Sequence, residues 1–505
     1  MNWEALTDVK RYDVIVVGAG VVGALCAREL TRYGARVLVL EKGSDVCSGA
    51  SKANSGIVHA CLSPKPGSNK ARLCLEGNRL MPQLCRELGV PFMPVGALTV
   101  AFREREVRVL SALRARGERN GERGLEILRG PRLREAEPAL SEEAVAALLS
   151  PSAGIVNPML LTIAAAENAV ANGAEVLLEA EVTGIIVEQD GVAGVRTTRG
   201  DFGCRFLVNA AGAHADRVMR MVGITDLTIH PRRGDYFVLD RSVCSSGLDG
   251  ERSGGKPLVR HVLFPIPTPV TKGILVTPTV DGNVLLGPTS LPTHELEHPA
   301  VSGEGLAEVE RQVVRMVPSL DLRQCIAVFA GSRPAGARDF IIRGERSPQG
   351  LITLAGIESP GLTAAPAIAR RAVALLGEAG LKLRPDPSFD PIREPPPRLA
   401  GMPPEVRAEL VARDPAFGRI VCRCEEVSEG EIVAAIRSPI PARTLDAIKK
   451  RVRVGAGRCQ GGFDLPYVVE ILARELGIAP CEVTKSGTGS EVLMGTTGAC
   501  RGRCG

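Results

Sequence analysis

The sequence predicts a protein of mixed class, α/β and α+β, on three observations. A strand rich in Val and Ile over residues 12–17 stops at a glycine-rich turn and continues as an apolar helix, which indicates a parallel-sheet domain. Residues 234–288 alternate apolar and polar positions between Pro and Gly, which predicts an antiparallel sheet. After a proline-rich stretch at 384–404, clustered cysteines indicate a small C-terminal domain.

The N-terminal unit is a strand, the turn Gly18-x-Gly20-x-x-Gly23, a helix, a second strand and an acid. Gly18 makes the turn, Gly20 lets a phosphate approach, and Gly23 lets the helix pack on the strand. The helix N-terminus then faces a pyrophosphate, and Glu41 accepts hydrogen bonds from a ribose. The unit predicts a Rossmann-like dinucleotide site; the alternative is an ordinary strand–turn–helix without a ligand.

The remaining elements follow in order after a loop of small residues at 48–60. Helices are predicted over 70–88, 159–172, 305–316 and 361–376. Strands of the antiparallel sheet are predicted over 236–239, 259–264, 273–278 and 283–286. Residues 103–147 alternate Arg and Glu, which predicts either a solvated cap or merely an exposed helical face.

Composition excludes several classes of protein. At 505 residues the chain suits two or three domains, and 45% apolar and 24% charged residues are typical of a soluble globular protein. A net charge of +5 and 3% aromatic residues do not support nucleic-acid binding. No apolar segment reaches the length of a membrane span, and the N-terminus lacks the order of a signal peptide. We therefore expect a cytoplasmic protein.

The placement of the 14 cysteines matters more than their number. Eight occur singly and are expected to be small buried side chains: Cys26, Cys47, Cys61, Cys74, Cys85, Cys204, Cys244 and Cys325. The other six follow residue 420: Cys422, Cys424, Cys459, Cys481, Cys500 and Cys504. The first three of these are grouped as metal ligands are.

Six segments resemble a known family: 54–60, 65–67, 233–236, 277–283, 286–288 and 358–363. On these segments the chain up to about residue 380 resembles the FAD-dependent oxidoreductases of the D-amino-acid oxidase superfamily. The nearest branches are L-2-hydroxyglutarate oxidase and glycerol-3-phosphate dehydrogenase. The resemblance implies a discontinuous FAD-binding domain and an antiparallel-sheet substrate or cap domain. Their expected bounds are 1–95, 151–233 and 330–383 for the first, and 96–150 and 234–329 for the second.

The resemblance also implies cofactor contacts. It places Glu41 on the adenosine ribose, Val182 on adenine, Ser51 and Asn54 near the pyrophosphate, Gly212 beside the nucleotide, and Gly361, Leu362 and Thr363 on the pyrimidine edge of the flavin. The last three residues open a helix. A helix N-terminus suits that edge, because reduction leaves negative charge on it.

His59 and Arg333 are the candidate catalytic residues. Oxidising a secondary alcohol by hydride transfer needs a base on the hydroxyl, and His59 follows the cofactor loop as the active-site histidine of the family does. His59 could instead only pack near the flavin, or bind it covalently. Arg333 would hold a carboxylate or phosphate, or form a surface ion pair. Tyr236 and Lys272 could add contacts, with core or rim roles as the alternative. The family usually has glycine at Cys61, so the wall beside His59 differs here.

The segment 419–482, which follows a linker at 384–418 and precedes a tail at 483–505, resembles the bacterioferritin-associated-ferredoxin-like [2Fe–2S] domain. Cys422, Cys424 and Cys459 match its ligands, but Asp464 stands where the fourth cysteine belongs. Asp464 could ligate through oxygen, Cys500 or Cys504 of the tail could complete the set, or the domain could hold no cluster and dock a partner. Zinc in a site of three Cys and one Asp is a further alternative.

The leading hypothesis is an FAD-dependent dehydrogenase of a small anionic secondary alcohol, glycerol 3-phosphate or a 2-hydroxy acid such as L-2-hydroxyglutarate. Electrons would pass through the C-terminal cluster to a partner subunit or a quinone-linked acceptor, which could hold the protein at the membrane periphery. Two alternatives stay open: an amine or imino-acid dehydrogenase of the same superfamily, and an electron-relay subunit without substrate chemistry.

Overall fold

The computed structural model describes residues 9–242, 258–268, 271–297 and 300–495. Cys244, Cys500 and Cys504 therefore lie outside the described residues. Six of the single cysteines are buried as expected: Cys26, Cys47, Cys61, Cys74, Cys85 and Cys204. Cys325, which is also expected to be buried, is only half-buried at the start of the strand Cys325–Arg333. Within the described ranges, no helix is long and apolar enough to cross a membrane.

The chain alternates short strands and helices throughout. The strands are β1 (Arg11–Val17), β2 (Val37–Leu40), β3 (Ile57–Val58), β4 (Phe92–Met93), β5 (Ala97–Ala101), β6 (Glu126–Leu128), β7 (Ala146–Ser150), β8 (Gly154–Val156), β9 (Glu175–Leu177), β10 (Val182–Glu188), β11 (Gly191–Thr197), β12 (Gly200–Asn209), β13 (Arg232–Leu239), β14 (Val262–Pro265), β15 (Leu275–Pro278), β16 (Val284–Gly287), β17 (Leu291–Pro292), β18 (Cys325–Arg333), β19 (Ile341–Gly344), β20 (Leu351–Ala355), β21 (Ile420–Cys422) and β22 (Val427–Ser428). The helices are α1 (Val21–Thr31), α2 (Asn69–Glu87), α3 (Val107–Arg119), α4 (Gly130–Ala136), α5 (Pro158–Ala171), α6 (Ala215–Arg220), α7 (Gly303–Met316), α8 (Gly361–Glu378), α9 (Pro404–Arg413), α10 (Glu429–Ile436), α11 (Leu445–Val452) and α12 (Leu465–Leu476).

The first layer is a parallel sheet in the order β9-β2-β1-β12-β20, extended by the antiparallel strands β10, β11 and β19. Its central strands β1 and β2 consist largely of apolar residues because both faces of the sheet are covered. Helices α1, α5 and α8 pack together against one face and share its largest apolar core. This is the predicted Rossmann-like domain, assembled from separate segments of the chain.

The second layer is a largely antiparallel sheet in the order β17-β13-β16-β15-β14-β5-β7-β6, with β18 paired to β13. Strands β5, β6 and β7 lie within residues 96–150, a segment expected to belong to the substrate or cap domain, and they join the platform strands in one sheet. Helix α7 packs on the same sheet, with Val309 and Val313 in its core. The cap and the substrate platform are therefore one structural unit.

The proline-rich segment after α8 is hydrogen-bonded along the first domain. Asp386 N donates to Arg32 O at 2.8 Å, and Arg393 N donates to Glu87 O at 2.8 Å. Arg393 also pairs with the buried Glu167 at 2.7 Å. Composition predicts a linker here; the structure shows a strap held in place before it reaches α9.

The C-terminal domain consists of the β21–β22 hairpin and helices α10, α11 and α12 around its own apolar core. Ser428 caps α10 in a capping box with Glu431, which fixes the start of that helix. This agrees with the small helical domain that the sequence predicts.

Candidate functional site

A cavity of about 1200 Å³ lies at the carboxyl ends of the parallel strands β1, β2 and β12. Ligands of open parallel sheets bind at this edge. The predicted site residues that line the cavity are Gly18, Gly20, Glu41, Ser51, Asn54, His59, Gly212, Arg333, Gly361 and Leu362. The fold thus brings together residues from both ends of the first domain.

The glycine-rich turn has the geometry that a pyrophosphate needs. Gly18 has a φ of +99°, and a Cβ there would lie 2.7 Å from the Ala210 carbonyl oxygen. Gly20 is the N-cap of α1, and Ser51 Oγ accepts a hydrogen bond from Val21 N at 2.9 Å. The N-terminus of α1 therefore opens on the cavity beside a hydroxyl, where backbone N–H groups favour an anion.

Glu41 is fixed by the backbone on both sides. Its Oε2 accepts a hydrogen bond from Ala19 N at 2.9 Å, and its Oε1 accepts one from Gly43 N at 2.8 Å. Burial raises the pKa of Glu41 above its ordinary value. Each oxygen keeps a second lone pair for a ribose hydroxyl. The turn, this carboxylate and the size of the cavity fit the FAD that the sequence predicts.

Gly23 does not line the cavity but packs α1 against the turn. A Cβ on Gly23 would lie 1.9 Å from the Gly18 carbonyl oxygen. We expect Gly23→Ala to displace the turn, to destabilise the domain by about 1–3 kcal/mol and to lower its FAD content. Gly303→Ala is the control, because a Cβ there meets no atom within 4 Å. Flavin absorbance per chain and thermal melting measure the effect; equal FAD content in both variants would contradict it.

Asn54 and Thr363 use their side chains to hold the cofactor loop. Asn54 Nδ2 donates to Ser51 O at 2.9 Å, and Asn54 Oδ1 accepts from Gly56 N at 2.9 Å. Thr363 is fully buried, and its Oγ1 accepts a hydrogen bond from His59 N at 2.9 Å. Because of these contacts, both side chains position the loop, and only the backbone of Thr363 is left to face a cofactor.

The adenosine end of the cavity is bordered by Gly212 and Glu181. Gly212 follows β12 with a φ of +57°, which favours glycine. Val182 is 7% exposed within an apolar core, and its neighbour Glu181 lines the cavity instead. The adenine contact that the resemblance implies for Val182 thus stays a prediction about its backbone.

His59 follows β3 and lies against the start of α8. Its Nε2 is 3.2 Å from Ser359 Oγ, which accepts a hydrogen bond from Lys272 Nζ at 3.0 Å. Because the lysine only donates, the hydroxyl hydrogen of Ser359 is available to Nε2. Burial, and then the charge of Lys272, lower the pKa of His59 well below its ordinary value. The ring is therefore neutral at pH 7, with Nε2 as an acceptor.

Lys272 and Ser359 are the residues that sequence reasoning left without a catalytic role. Lys272 lies in the turn before β15 and lines the cavity, and burial lowers its pKa to about 8. No local pattern places it beside His59, because the contact depends on how the second sheet docks on the first domain. Ser359 lies inside the 358–363 segment, and the resemblance of that segment to the family could have indicated a role for it.

Arg333 ends β18 and lines the same end of the cavity. One of its Nη2 hydrogens is donated to Thr289 O at 2.5 Å. Within the residues that the structure describes, it forms no ion pair with a carboxylate. It is close enough to Lys272 and Tyr236 to affect the pKa of each. The remaining N–H groups of the guanidinium are free to bind a carboxylate or phosphate through two hydrogen bonds.

The three grouped cysteines of the C-terminal domain meet in space. The sulfur atoms of Cys422 and Cys424 are 3.7 Å apart, and those of Cys424 and Cys459 are 3.6 Å apart. Two thiolates on one tetrahedral metal lie roughly 3.8 Å apart when the bonds are about 2.3 Å long. Burial, and then the contact with the Asp464 carboxyl, raise the pKa of Cys422 above its ordinary value, although the backbone N–H groups of Gly455 and Glu425 donate to its sulfur and oppose that shift.

Asp464 lies beside this group. It is 2% exposed, its carboxyl contacts Cys422, and its Oδ2 is buried without a hydrogen-bond partner. Such an oxygen is costly unless something binds it. In the described part of the chain, no three His, Cys, Asp or Glu side chains surround a single metal ion, so the zinc alternative gains no support. Paired ligands of this kind fit a two-iron cluster.

Strand β13 runs from the first site toward the second. Tyr236 in β13 lines the FAD cavity, and Arg241, just after the strand, donates a hydrogen bond to the carbonyl oxygen of Cys424. At about 3.3 Å per residue, these two positions are roughly 17 Å apart. The loop that carries Cys424 therefore lies directly against the sheet that contains β13.

Comparisons with known proteins agree with the two cofactors that the sequence predicts. A family model described as FAD dependent oxidoreductase matches residues 13–375, and one described as BFD-like [2Fe–2S] binding domain matches residues 420–474. The chain is 41% identical over 487 residues to a glycerol 3-phosphate dehydrogenase of Caloramator mitchellensis, covering 96% of this chain and 99% of that protein. It is 33% identical over 287 residues to an L-2-hydroxyglutarate dehydrogenase of Escherichia coli, covering 55% and 64%.

A solved structure gives the same fold. The dithionite-reduced L-alpha-glycerophosphate oxidase of Mycoplasma pneumoniae, with FAD bound, matches with a TM-score of 0.70 at 31% identity, covering 76% of this chain and 98% of that one. The family matches imply FAD in the first domain and a [2Fe–2S] cluster in the C-terminal domain, as the sequence predicts. The chain belongs to the FAD dependent oxidoreductase family and carries a BFD-like [2Fe–2S] binding domain in its C-terminal part.

Proposed function

We propose that this chain is a dehydrogenase that uses FAD to oxidise a small anionic secondary alcohol, glycerol 3-phosphate or a 2-hydroxy acid such as L-2-hydroxyglutarate. The observation that carries the proposal is the pairing, at one end of the cavity, of a neutral His59 with an Arg333 that lacks a carboxylate partner among the described residues. A base for the hydroxyl and a cation for the acid group are what this substrate class needs. The similarity to glycerol 3-phosphate and L-2-hydroxyglutarate dehydrogenases supports it.

FAD, when bound, supplies the acceptor for the hydride that the alcohol loses. Arg333 binds the anionic group of the substrate and fixes its orientation. His59 Nε2, which in the structure faces Ser359 Oγ, takes the hydroxyl proton once the substrate hydroxyl replaces Ser359 as its hydrogen-bond partner. Lys272 holds Ser359 in place and adds positive charge. Phe264, whose ring centre is 5.9 Å from that of His59, shields one side of the imidazole from water.

Anaerobic mixing of the FAD-loaded protein with a panel of compounds tests the proposal. The panel holds glycerol 3-phosphate, 2-hydroxy acids and amino acids, and the readout is bleaching of the flavin absorbance. We expect bleaching by glycerol 3-phosphate or by a 2-hydroxy acid. Bleaching by amino acids alone would overturn it in favour of an amine or imino-acid dehydrogenase. Bleaching by no compound would favour an electron-relay subunit.

We further propose that electrons leave through the C-terminal cluster to a partner protein or a quinone-linked acceptor. Cys459 is half-buried, and the nearby Phe463 is 81% exposed, so this side of the domain meets solvent. The loop of Cys424 meanwhile contacts the substrate sheet through Arg241. Substrate should therefore reduce the flavin first and the cluster second, as followed by their separate absorbance changes; reduction of the flavin alone would contradict the route.

Asp464 offers a direct test of the cluster. We expect Asp464→Ala to lower metal affinity on the order of 10-fold or more, because the thiolates then lack a fourth side chain. Asp464→Cys should keep iron and sulfide while changing the reduction potential, since a thiolate replaces a harder oxygen ligand. Iron and sulfide assays after anaerobic purification, with electron paramagnetic resonance, measure both. Full iron and sulfide in Asp464→Ala would instead point to Cys500 or Cys504.

A further inference from the structure

A second cavity of 650 Å³ adjoins the FAD cavity at the catalytic end. Both cavities are lined by Ser63, Lys272, Ser359 and Pro360. Two of these residues, Lys272 and Ser359, make the hydrogen-bonded chain that ends on His59 Nε2. The second cavity therefore opens onto the reacting end of the site, away from the glycine-rich turn.

The walls of this cavity carry more positive than negative charge. Its charged lining residues are Lys65, Lys70, Lys272, Arg338 and Asp339. Lys70 is paired with Glu358 at 2.8 Å. Among the described residues, no carboxylate forms such an ion pair with Lys65, Lys272 or Arg338.

Asp339 is the acid of the lining, and its oxygens are already engaged. They accept hydrogen bonds from the backbone N–H groups of Asn69, Lys70 and Phe340 at 2.8 to 2.9 Å. These bonds tie the start of α2 to the loop between β18 and β19. Asp339 thus stabilises the backbone that lines the cavity, and its carboxylate forms no ion pair with any of the described cations of the lining.

Lys65 and Arg338 are exposed at the mouth of the cavity. Across the described residues, neither side chain forms an ion pair or a hydrogen bond with a neighbour. Lys65 and Arg338 therefore place two uncompensated positive charges at one opening. A cleft lined by one sign of charge concentrates ligands of the opposite sign and speeds their entry.

We propose that this cavity is an anion-binding vestibule through which a small phosphate- or carboxylate-bearing substrate reaches His59, with Lys65 and Arg338 attracting it at the mouth. The inference rests on the proposed function for the identity of the substrate. Lys65 and Arg338 bind the anion first, at the mouth of the cavity. Lys272, which lines both cavities, and then Arg333 receive it at the reaction site.

The test uses the full-length, FAD-loaded protein and the variant Lys65→Ala/Arg338→Ala. In anaerobic stopped flow with glycerol 3-phosphate, the apparent second-order rate of flavin reduction should fall on the order of 10-fold at low salt. Its dependence on NaCl should flatten, because fewer charges remain to be screened. The limiting rate at saturating substrate should stay unchanged, since neither residue touches the reacting atoms.

Lys382→Ala/Arg384→Ala is the matched control. It removes the same two charge types from exposed positions just beyond the C-terminus of α8. The catalytic site lies at the N-terminus of that helix, about 27 Å away at 1.5 Å per residue. A wild-type salt dependence in the vestibule variant, or an equal loss in both double variants, would overturn the proposal.

Calorimetric titration with inorganic phosphate separates this inference from the proposed function. If no anionic alcohol reduces the flavin, the proposed function fails, and the titration still tests the vestibule. Weaker phosphate binding in Lys65→Ala/Arg338→Ala than in the control supports an anion site. Equal binding in the two double variants overturns it.

Discussion

His59→Gln is expected to lower the limiting rate of flavin reduction by about 10²–10⁴-fold, the range that a positioned general base contributes. Glutamine keeps a similar volume and a hydrogen-bonding end but cannot take the substrate proton. The contact of Thr363 Oγ1 is with the backbone N–H of His59, so it survives the substitution. The FAD content should therefore remain that of the wild type, and anaerobic stopped-flow absorbance measures the rate.

His294→Gln is the control, because His294 is exposed and lines none of the cavities around the site. A rate for His59→Gln within a few-fold of the control would show that the imidazole only packs beside the flavin. Such a result would show that a group other than His59 takes the proton of the substrate hydroxyl.

The same site predicts a pH profile with two limbs. Burial and then Lys272 lower the pKa of His59, so the base is lost only as the pH falls below its ordinary value of about 6.5. Burial lowers the pKa of Lys272 to about 8, so positive charge is lost as the pH rises through that value. We expect kcat/KM for an anionic substrate to fall as the pH drops far enough to protonate His59 and as it rises through the pKa of Lys272. Lys272→Arg should shift the alkaline limb upward.

The sequence predicted the cofactor half of the site better than its catalytic half. Gly18, Gly20 and Glu41 belong to one continuous unit whose spacing already implies geometry. The contact between Lys272 and Ser359 joins two sheets whose strands are distant in the chain. Neither a hydrophobic period nor a sequence motif therefore predicts it. That Thr363 presents its backbone N–H to the flavin edge stays a prediction, and the structure adds that its buried hydroxyl accepts a hydrogen bond from His59 N.

The fold shows the same division between local and non-local information. Helix α8 begins at Gly361, as predicted, because its start is a local Ser-Pro-Gly turn. The segment after Asp386 has a linker composition, but the pairing of Arg393 with Glu167 holds it on the first domain. That pairing depends on a helix more than two hundred residues earlier, which a composition window does not include.

A buried ion cluster joins the C-terminal domain to the loop that follows β2. Asp45, four residues after Glu41, accepts two hydrogen bonds from Arg451 at 2.8 and 2.9 Å and pairs with Lys450 at 2.6 Å. The three side chains are at most 10% exposed. Burial favours a higher pKa for Asp45, but the two cations outweigh it and lower the pKa below its ordinary value. The carboxylate is therefore charged from neutral pH down to below pH 4, and the stability it adds is lost only as the pH falls through this lowered pKa.

Asp45→Asn is expected to destabilise the docked state by about 3–5 kcal/mol, because it leaves two buried cations without their counter-charge. Asp446→Asn is the control, since its pair with Lys485 is exposed and should contribute at most about 1 kcal/mol. Thermal melting measures the loss. Substrate should still bleach the flavin of Asp45→Asn at the wild-type rate, because His59 and Arg333 are untouched, whereas reduction of the cluster should slow. Wild-type melting together with wild-type cluster reduction would show that this cluster does not hold the two redox domains together.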